Sequence, residues 1–496
     1  MTIPQSNSTS SGATVATLPT GKLWPSPGNP TAVARRFIKG DKRLLIRIDG
    51  EWLVYRKNYW ESVSSDRVGR AVRLTLEKAE FQAADGSIRG WHPTDAKVRE
   101  VLSALHHIAT PKYVLGKHVS NEPEAGWFGK PKSHQWHSGA PDQVIPCSNG
   151  LLRIADRKLL PFSPLHFNRY VLNCPYDRNA TSDLWDSYSQ SSFDAETIGV
   201  VEEWCGYVLS GRLDMEMYLL LIGPTRSGKG TLVKVLKAFL PPSAVTGFSP
   251  TQLRDRFGKE NLVGKSLIVM SDNRANLRDS RFAEFVLETV GLDDQSIRPA
   301  YARNYEVFNG PLPGRIMLLS NEPPLIPDNS DAIAARTLSL VTQKSFKGME
   351  NKRLKTDLVA PENLSAILNR FLDGLDRLNK RGRFEQPQSG QVVLEMIGEL
   401  GSEVKQFVSQ RCELAHGEKV LKSSVYQAYQ QFCMENNFET LAANAFSTAL
   451  FTATEHSVRP SKVCPKGETN RNKKVPVFVG MKLKENSRVE TALGQP

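Results

Sequence analysis

A glycine-rich segment carries the residue types best suited to binding phosphate. It follows an apolar run at residues 217–222 and precedes residues 231–240, whose apolar positions recur at helical spacing. In a strand–turn–helix unit of this kind, backbone N–H groups and the helix N-terminus converge on phosphate oxygens. The residues predicted to bind a nucleotide are Gly223, Pro224, Thr225, Arg226, Ser227, Gly228, Lys229, Gly230 and Thr231.

A magnesium site is predicted beside this segment. Lys229 is placed to reach the β and γ phosphates. Gly230 stands where the usual pattern has Ser or Thr, and Thr231 follows one residue later. Residues 267–272 are an apolar strand that ends in the carboxylate of Asp272, an arrangement that holds Mg²⁺ or orients the attacking water. The predicted magnesium ligands are therefore Asp272 and Thr231.

Two further residues follow in an order that suits phosphoryl transfer. Asn321 comes directly after the apolar strand 315–319, where it can position water, although an ordinary turn before a Pro-Pro pair gives the same pattern. Arg336 precedes the apolar run 338–341; it is either a surface charge or, in a ring, an arginine that enters the neighbouring site. The order favours catalysis by Lys229, Asp272, Asn321 and Arg336.

The surrounding segments indicate several packed domains. Strands that alternate with helices predict an α/β core with a parallel sheet. A hairpin around residues 49–50 and helices at 65–79 and 94–108 predict a small mixed domain upstream. An amphipathic helix is predicted near 197–209 and another helix at 364–378. The segment 400–485 reads as three helices followed by a strand pair.

Composition narrows the class of protein. The chain has 496 residues, of which 40% are hydrophobic, enough for two to four domains. A formal net charge of +12 suggests nucleic acid as a partner, with a solvated basic surface as the alternative. A membrane span and a secretory signal are not predicted. Six cysteines without a CxxC pair fit a reducing cytoplasm, which is the predicted location.

In their order, these motifs resemble the superfamily 3 helicases, specifically the phage and plasmid primase–helicase family related to the poxvirus primase–helicase. The resemblance covers roughly residues 40–485. The segments that carry it are GPTRSGKGT (223–231), LIVMSDN (267–273), RIMLLSNEPP (315–324) and DNSDAIAAR (328–336). It implies that Lys229 is the Walker A lysine, Asp272 the Walker B acid, Asn321 the sensor and Arg336 the arginine finger.

The resemblance also implies cofactors and partners. Family members use ATP and Mg²⁺, form hexameric rings and move on single-stranded DNA. A DNA-contacting hairpin is expected between residues 291 and 308, but Pro299 and Ala300 replace its usual basic pair. Origin DNA, a second copy of the chain and host replication proteins are the other implied partners. The predicted DNA contacts are Arg298, Arg303, Arg459, Lys462, Lys473 and Lys474.

The expected fold class is α/β, a P-loop (AAA+-like) parallel-sheet ATPase core with three accessory parts. These are a small mixed N-terminal domain, a collar region and a C-terminal winged helix. The expected boundaries are a disordered tail (1–34), the mixed domain (35–130), the collar (131–212), the ATPase core (213–385), a linker (386–399), the winged helix (400–485) and a tail (486–496).

The predicted function is an ATP-dependent, ring-forming DNA helicase for replication of a phage, plasmid or mobile element. Only about 130 residues precede the collar, and they hold no Asp-x-Asp pair of the type that binds two metals. We therefore expect no primer synthesis. One alternative is a DNA-binding replication initiator with a weak or vestigial ATPase. The other is a P-loop small-molecule kinase, although such kinases are shorter and need no basic C-terminal segment.

Overall fold

The computed structural model describes residues 23–40, 44–48, 51–109, 113–114, 117–118, 144–162, 168–271, 277, 280–298, 300, 307–326, 332–351, 353–464 and 474–484. Asp272, Arg303 and Lys473 lie outside these residues. The chain divides into two compact units, Met1–Pro131 with Phe162–Tyr170, and Lys132–Pro161 with Val171–Pro496. Among the helices of these ranges, none combines the length and apolar character that a bilayer-spanning segment needs.

The described residues of the first unit form three helices and short antiparallel strands. Ile48 pairs with Glu51, which confirms the predicted hairpin, and α2 and α3 confirm the two predicted helices. β1, β2 and β3 form an antiparallel sheet. The elements are α1 (Pro30–Gly40), β1 (Leu45–Ile48), β2 (Glu51–Tyr55), β3 (Trp60–Val63), α2 (Ser65–Leu76), β4 (Glu80–Gln82), β5 (Ile88–Gly90), α3 (Asp95–Ala109), β6 (Tyr113–Val114) and β7 (Lys117–His118).

Helix packing in this unit corrects the predicted N-terminal tail. α1 begins at Pro30, and its Val33 and Ala34 are fully buried in the core between the helices and the sheet. The predicted disordered segment 1–34 is therefore too long at its carboxyl end. The apolar face of α1 extends past residue 34, and its burial stabilises the whole helix, including the first turn. The polar residues that precede α1 gave no sign of these contacts.

The first described residues of the second unit form a small antiparallel sheet and two helices. β8 (Val144–Cys147), β9 (Gly150–Arg153) and β10 (Lys158–Leu160) form the sheet. α4 (Asp183–Ser192) and α5 (Ala195–Ser210) follow. The predicted helix at 197–209 is confirmed, but its amphipathic character is wrong: residues 200–210 are all buried. α5 is enclosed because a later helix covers the face that was expected to be exposed.

A five-stranded parallel sheet forms the centre of the second unit. Its strand order is β12-β13-β16-β11-β17, and the predicted strands at 217–222, 266–270, 315–319 and 338–341 are confirmed. β11 is buried along its whole length, as its continuous apolar sequence requires. The elements here are β11 (Tyr218–Ile222), α6 (Lys229–Phe239), β12 (Val245–Gly247), β13 (Leu267–Met270), α7 (Ser280–Val290), β14 (Gln295–Ile297), β15 (Phe308–Gly310), β16 (Arg315–Ser320), α8 (Ala332–Ala335) and β17 (Thr337–Val341).

Close helix packing surrounds this sheet. After α9 (Leu354–Asp357), the long helix α10 (Pro361–Arg381) confirms the prediction at 364–378 and packs on α5. The two helices approach through glycines: a Cβ on Gly206 would lie 2.2 Å from the Phe371 carbonyl oxygen, and one on Gly374 would lie 2.5 Å from the Glu202 carbonyl carbon. Any larger residue at either position would force the helices apart.

The predicted linker 386–399 is wrong, because most of it forms the helix α11 (Gln388–Leu400). Val393 and Ile397 of α11 lie in the core of the central sheet. Gln386, just before α11, donates its amide to the Ser339 carbonyl (2.6 Å) and accepts from the Ser339 N–H (3.0 Å). Its side chain thereby forms the hydrogen bonds that a further strand would make with the edge strand β17.

A core substitution in α11 tests this correction. We expect Ile397→Ala to lower the stability of the second unit by about 2–5 kcal/mol, because the lost side chain is only 2% exposed. Met396→Ala is the matched control, since Met396 is 45% exposed on the same turn. Thermal unfolding followed by circular dichroism measures both. Equal melting temperatures for the two variants would show that α11 is dispensable, as a linker would be.

The C-terminal segment packs three helices against a three-stranded antiparallel sheet, in the order β18-β20-β19. The predicted three helices and final strand pair are confirmed, whereas β18 was not predicted. β18 is mostly exposed and its register shifts between Leu414 and Lys419, so it lacks a clear alternation of apolar residues. The elements are α12 (Glu403–Arg411), β18 (Cys412–Leu421), α13 (Lys422–Asn436), α14 (Ala443–Ala453), β19 (Arg459–Val463) and β20 (Val475–Leu483).

Candidate functional site

The glycine-rich turn leaves the carboxyl end of β11, between β16 and β17. Open parallel sheets bind ligands at this edge, where the strand order reverses. Gly223 has φ +147°, and a Cβ there would lie 2.1 Å from the Thr342 hydroxyl oxygen. Gly228 has φ +98°, and its Cβ would lie 2.8 Å from Ser192 Oγ. Both positions therefore require glycine, and the turn follows the neighbouring backbone closely.

The N-terminus of α6 opens on this turn. Gly228 is the N-cap residue, and no side chain caps the helix. Gly230, in the first turn, is exposed, and a Cβ on it would meet only Lys355 Nζ, at 3.9 Å. The first N–H groups of a helix lack intrahelical partners and carry partial positive charge. The arrangement suits an anion such as a phosphate group.

Lys229 lies inside the turn and is 8% exposed. Its Nζ donates to the carbonyl oxygens of Gly223 (2.6 Å) and Pro224 (2.8 Å) and to Asn321 Oδ1 (3.0 Å). Asn321 directly follows β16, the strand that pairs with β11. The structure therefore brings together Lys229 and Asn321, two of the predicted catalytic residues.

The predicted magnesium ligands are not brought together by the described residues. Asp272 lies outside them, and its strand β13 ends at Met270, at the same edge of the sheet as Asn321. Thr231 is 4% exposed on α6. Within the described ranges, no group of three or more His, Cys, Asp or Glu side chains could hold a metal ion. The magnesium site stays a prediction.

Arg336 lies at the amino ends of the parallel strands, whereas Lys229 lies at their carboxyl ends. Its carbonyl accepts from the Tyr218 N–H (2.9 Å) at the start of β11, and Tyr218 pairs with Thr337. The five residues of β11 span about 16 Å, so the amino and carboxyl ends of the strands are well separated. Arg336 is half-buried, and its Nε has no hydrogen-bond partner among the described residues. The sheet does not place Arg336 beside the Lys229 of its own chain.

Residues that sequence reasoning missed support the turn from two sides. Tyr188 of α4 donates its hydroxyl to the Gly228 carbonyl (3.1 Å), and burial raises the pKa of this phenol, which keeps it a donor. Ser227 Oγ lies 2.6 Å from Thr342 Oγ1. Ser192 Oγ, also next to Gly228, is buried without a partner in the described residues. These contacts join residues far apart in sequence, so no local pattern marks them.

A second set of contacts orients the outer part of the turn. Arg226 has φ +59°, its carbonyl accepts from the Phe346 N–H (3.0 Å), and its guanidinium pairs with Glu350. Ser345 Oγ donates to the Thr225 carbonyl at 2.7 Å. Thr225 and Arg226 are therefore held by the segment that follows β17. Their side chains are exposed on the turn.

The predicted DNA contacts lie in two places in the second unit. β14 pairs antiparallel with β15, which begins at Phe308, the last residue of the span in which the hairpin was expected, and the exposed Arg298 directly follows β14. Contact of this region with DNA stays a prediction. Arg459 and Lys462 are exposed on β19, and Lys474 is exposed directly before β20. Arg303 and Lys473 lie outside the described residues. Each described cation faces solvent, as a phosphate contact requires.

Two family models match parts of the chain. Residues 221–336 match a family of unknown function, DUF5906, and this match spans all four predicted catalytic residues. Residues 403–481 match a family described as Poxvirus D5 protein-like, which covers α12 to most of β20. A search of curated proteins gave no match.

Solved structures of the apo C-terminal region of NrS-1 are similar to this chain. One has a TM-score of 0.46 and 13% identity, covering 87% of this chain and 94% of that chain. Two structures of its residues 305–718 have TM-scores of 0.48 and 0.49, each with 12% identity. They cover 90% and 91% of this chain, and 98% and 99% of theirs.

Proposed function

We propose that this chain is an ATP-dependent, ring-forming DNA helicase that serves replication of a phage, plasmid or mobile element. One observation carries the proposal: the Lys229 ammonium and the Asn321 amide oxygen lie 3.0 Å apart at the carboxyl ends of neighbouring parallel strands. The uncapped N-terminus of α6 is adjacent. The Poxvirus D5 protein-like match at 403–481 and the resemblance of the motifs support the same family.

The residues of the turn fit a triphosphate. Gly223 and Gly228 leave the space that side chains would fill, and the first N–H groups of α6 can donate to phosphate oxygens. Lys229 would exchange its carbonyl partners for phosphate oxygens and neutralise their charge. Asp272 and Thr231 would hold Mg²⁺, which supplies charge neutralisation at the β and γ phosphates when bound.

Asn321 and Arg336 would complete hydrolysis from different subunits. Asn321, hydrogen-bonded to Lys229, is placed to orient the attacking water. Arg336 lies at the amino ends of the strands of its own sheet, away from Lys229, so we assign it to the nucleotide site of a neighbouring copy. In a closed ring with head-to-tail contacts, every subunit has a neighbour on each side. Each nucleotide site could therefore receive an arginine from the next copy.

DNA binding would use the hairpin and the C-terminal segment. In the proposed motor, the exposed Arg298 directly follows β14 and would contact single-stranded DNA. In the C-terminal segment, the element order helix, strand, helix, helix, strand, strand supports a winged helix. Its exposed Arg459, Lys462 and Lys474 would contact duplex phosphates at an origin.

DNA-stimulated hydrolysis tests this function. We expect single-stranded DNA to raise the ATPase rate several-fold and the chain to unwind forked DNA only with ATP and Mg²⁺. A blunt duplex of the same length is the control substrate. An ATPase rate that is indifferent to DNA would favour a small-molecule kinase. DNA binding without measurable hydrolysis would favour a replication initiator.

A further inference from the structure

The first unit contains an apolar pocket that the proposed motor does not use. It lies between α1, α2 and the sheet β1–β3, is partly open to solvent, and has a cavity volume of about 80 Å³. Its walls are side chains of the unit's core, which are mostly buried. Apart from Ala71, the apolar residues that line it are Phe37, Ile38, Leu45, Val54, Val63 and Val68.

Two arginines form the rim of this pocket. Arg56 Nε lies 2.5 Å from Glu61 Oε2, and Arg67 NH1 lies 3.5 Å from Glu61 Oε1. Two guanidinium groups therefore share one carboxylate, which leaves a net positive charge at the rim. The Arg67 side chain is 60% exposed, so its guanidinium keeps most of its donors for another acceptor.

The size of the pocket excludes large ligands. Pockets for cofactors and drug-sized molecules measure about 300–1,000 Å³. A cavity of 80 Å³ is about half the volume of the engineered 150 Å³ cavity that holds benzene. It suits a single aliphatic side chain. An apolar interior beneath a cationic rim favours a ligand with one apolar side chain flanked by anionic groups.

We propose that this pocket binds an acidic peptide segment of a partner protein. One leucine-sized side chain enters the cavity, and neighbouring carboxylates of the peptide contact Arg67 and Arg56. Nucleic acid is the other polyanion that the rim attracts. A base placed in the cavity would leave its polar edges unpaired against apolar walls, which is costly. The proposal does not depend on ATP hydrolysis and gives the first unit a role in partner docking.

A labelled peptide tests the proposal with the full chain. The probe is fluorescein-Gly-Asp-Asp-Glu-Leu-Asp-Asp, and its binding is followed by fluorescence anisotropy. We expect replacement of its leucine by alanine to weaken binding by about tenfold or more, the effect of losing one buried aliphatic side chain. Arg67→Glu in the protein should weaken binding by a similar factor. Arg70→Glu, also exposed on α2 but outside the pocket lining, is the matched control and should change binding less than twofold.

A second variant separates binding from folding. Ala71 is exposed and lines the mouth of the pocket, so Ala71→Trp should block the probe while the melting temperature stays that of the wild type. Equal binding of the leucine and alanine peptides would overturn the proposal, and so would equal losses from Arg67→Glu and Arg70→Glu. Displacement of the probe by a single-stranded oligonucleotide at equal affinity would assign the rim to nucleic acid instead.

Discussion

Replacing Arg336 by alanine is expected to lower the rate of ATP hydrolysis on the order of a thousandfold, the lower end of the effect of losing an arginine finger. Nucleotide affinity should change far less, because Arg336 lies at the amino ends of the strands and Lys229 at their carboxyl ends. Steady-state ATPase assays and equilibrium binding of a fluorescent nucleotide measure the two effects. Arg383→Ala is the control, since Arg383 is exposed in the loop after α10.

A mixing experiment shows whether Arg336 acts on a neighbouring copy. Arg336→Ala subunits keep Lys229, and Lys229→Ala subunits keep Arg336. In randomly mixed rings at equal ratio, about one quarter of the interfaces would combine an intact lysine with an intact arginine from the next copy. We expect mixed rings to regain a corresponding fraction of wild-type ATPase activity. No recovery, with both variants assembling normally, would place the two residues in one active site of a single chain.

Replacing Lys229 by alanine is expected to lower ATP hydrolysis by about 10²–10³-fold, comparable to the loss of a preorganised charge donor in other active sites. The ammonium lies among carbonyl and amide oxygens at the end of β11, and no other described cation donates to the same oxygens. Lys234→Ala is a matched control on the same helix, because Lys234 is exposed. DNA binding should be retained in both variants.

The Lys229 variant also separates the motor from a DNA-binding initiator. If Lys229→Ala supports DNA replication as well as wild type does, hydrolysis is not needed and the proposed helicase function is wrong. Lys229→Arg sharpens the result. A planar guanidinium is larger than an ammonium and cannot occupy the space between the Gly223 and Pro224 carbonyls, so we expect this variant to be inactive as well.

The part of the site that sequence could predict is the part made by local pattern. Buried parallel strands are continuous apolar runs, so β11, β13, β16 and β17 were all predictable, and Asn321 was found because it directly follows one of them. Lys229 was also found from a local pattern, the glycine-rich turn between an apolar strand and a helix. Their proximity then results from the pairing of β11 with β16.

Tertiary contacts decided the parts that the sequence did not reveal. α11 resembles a linker because Pro387 and Gly390 are usually found in turns. In the fold, a Cβ on Gly390 would lie 1.9 Å from the Ser339 carbonyl oxygen, so glycine is required by the packing of the helix on β17. Tyr188 and Thr342 were missed because they reach the turn from distant segments.

The side-chain amide of Gln386 has a consequence for assembly. Open sheet edges invite another chain to extend the sheet, which leads to uncontrolled association. On β17 the main-chain groups of Ser339 are already engaged by Gln386, and α11 packs alongside. Backbone pairing of a second copy at this edge strand would have to displace Gln386 from Ser339. In the proposed ring, contacts between copies near Arg336 would then be made by side chains, which can form and release as a nucleotide is bound and hydrolysed.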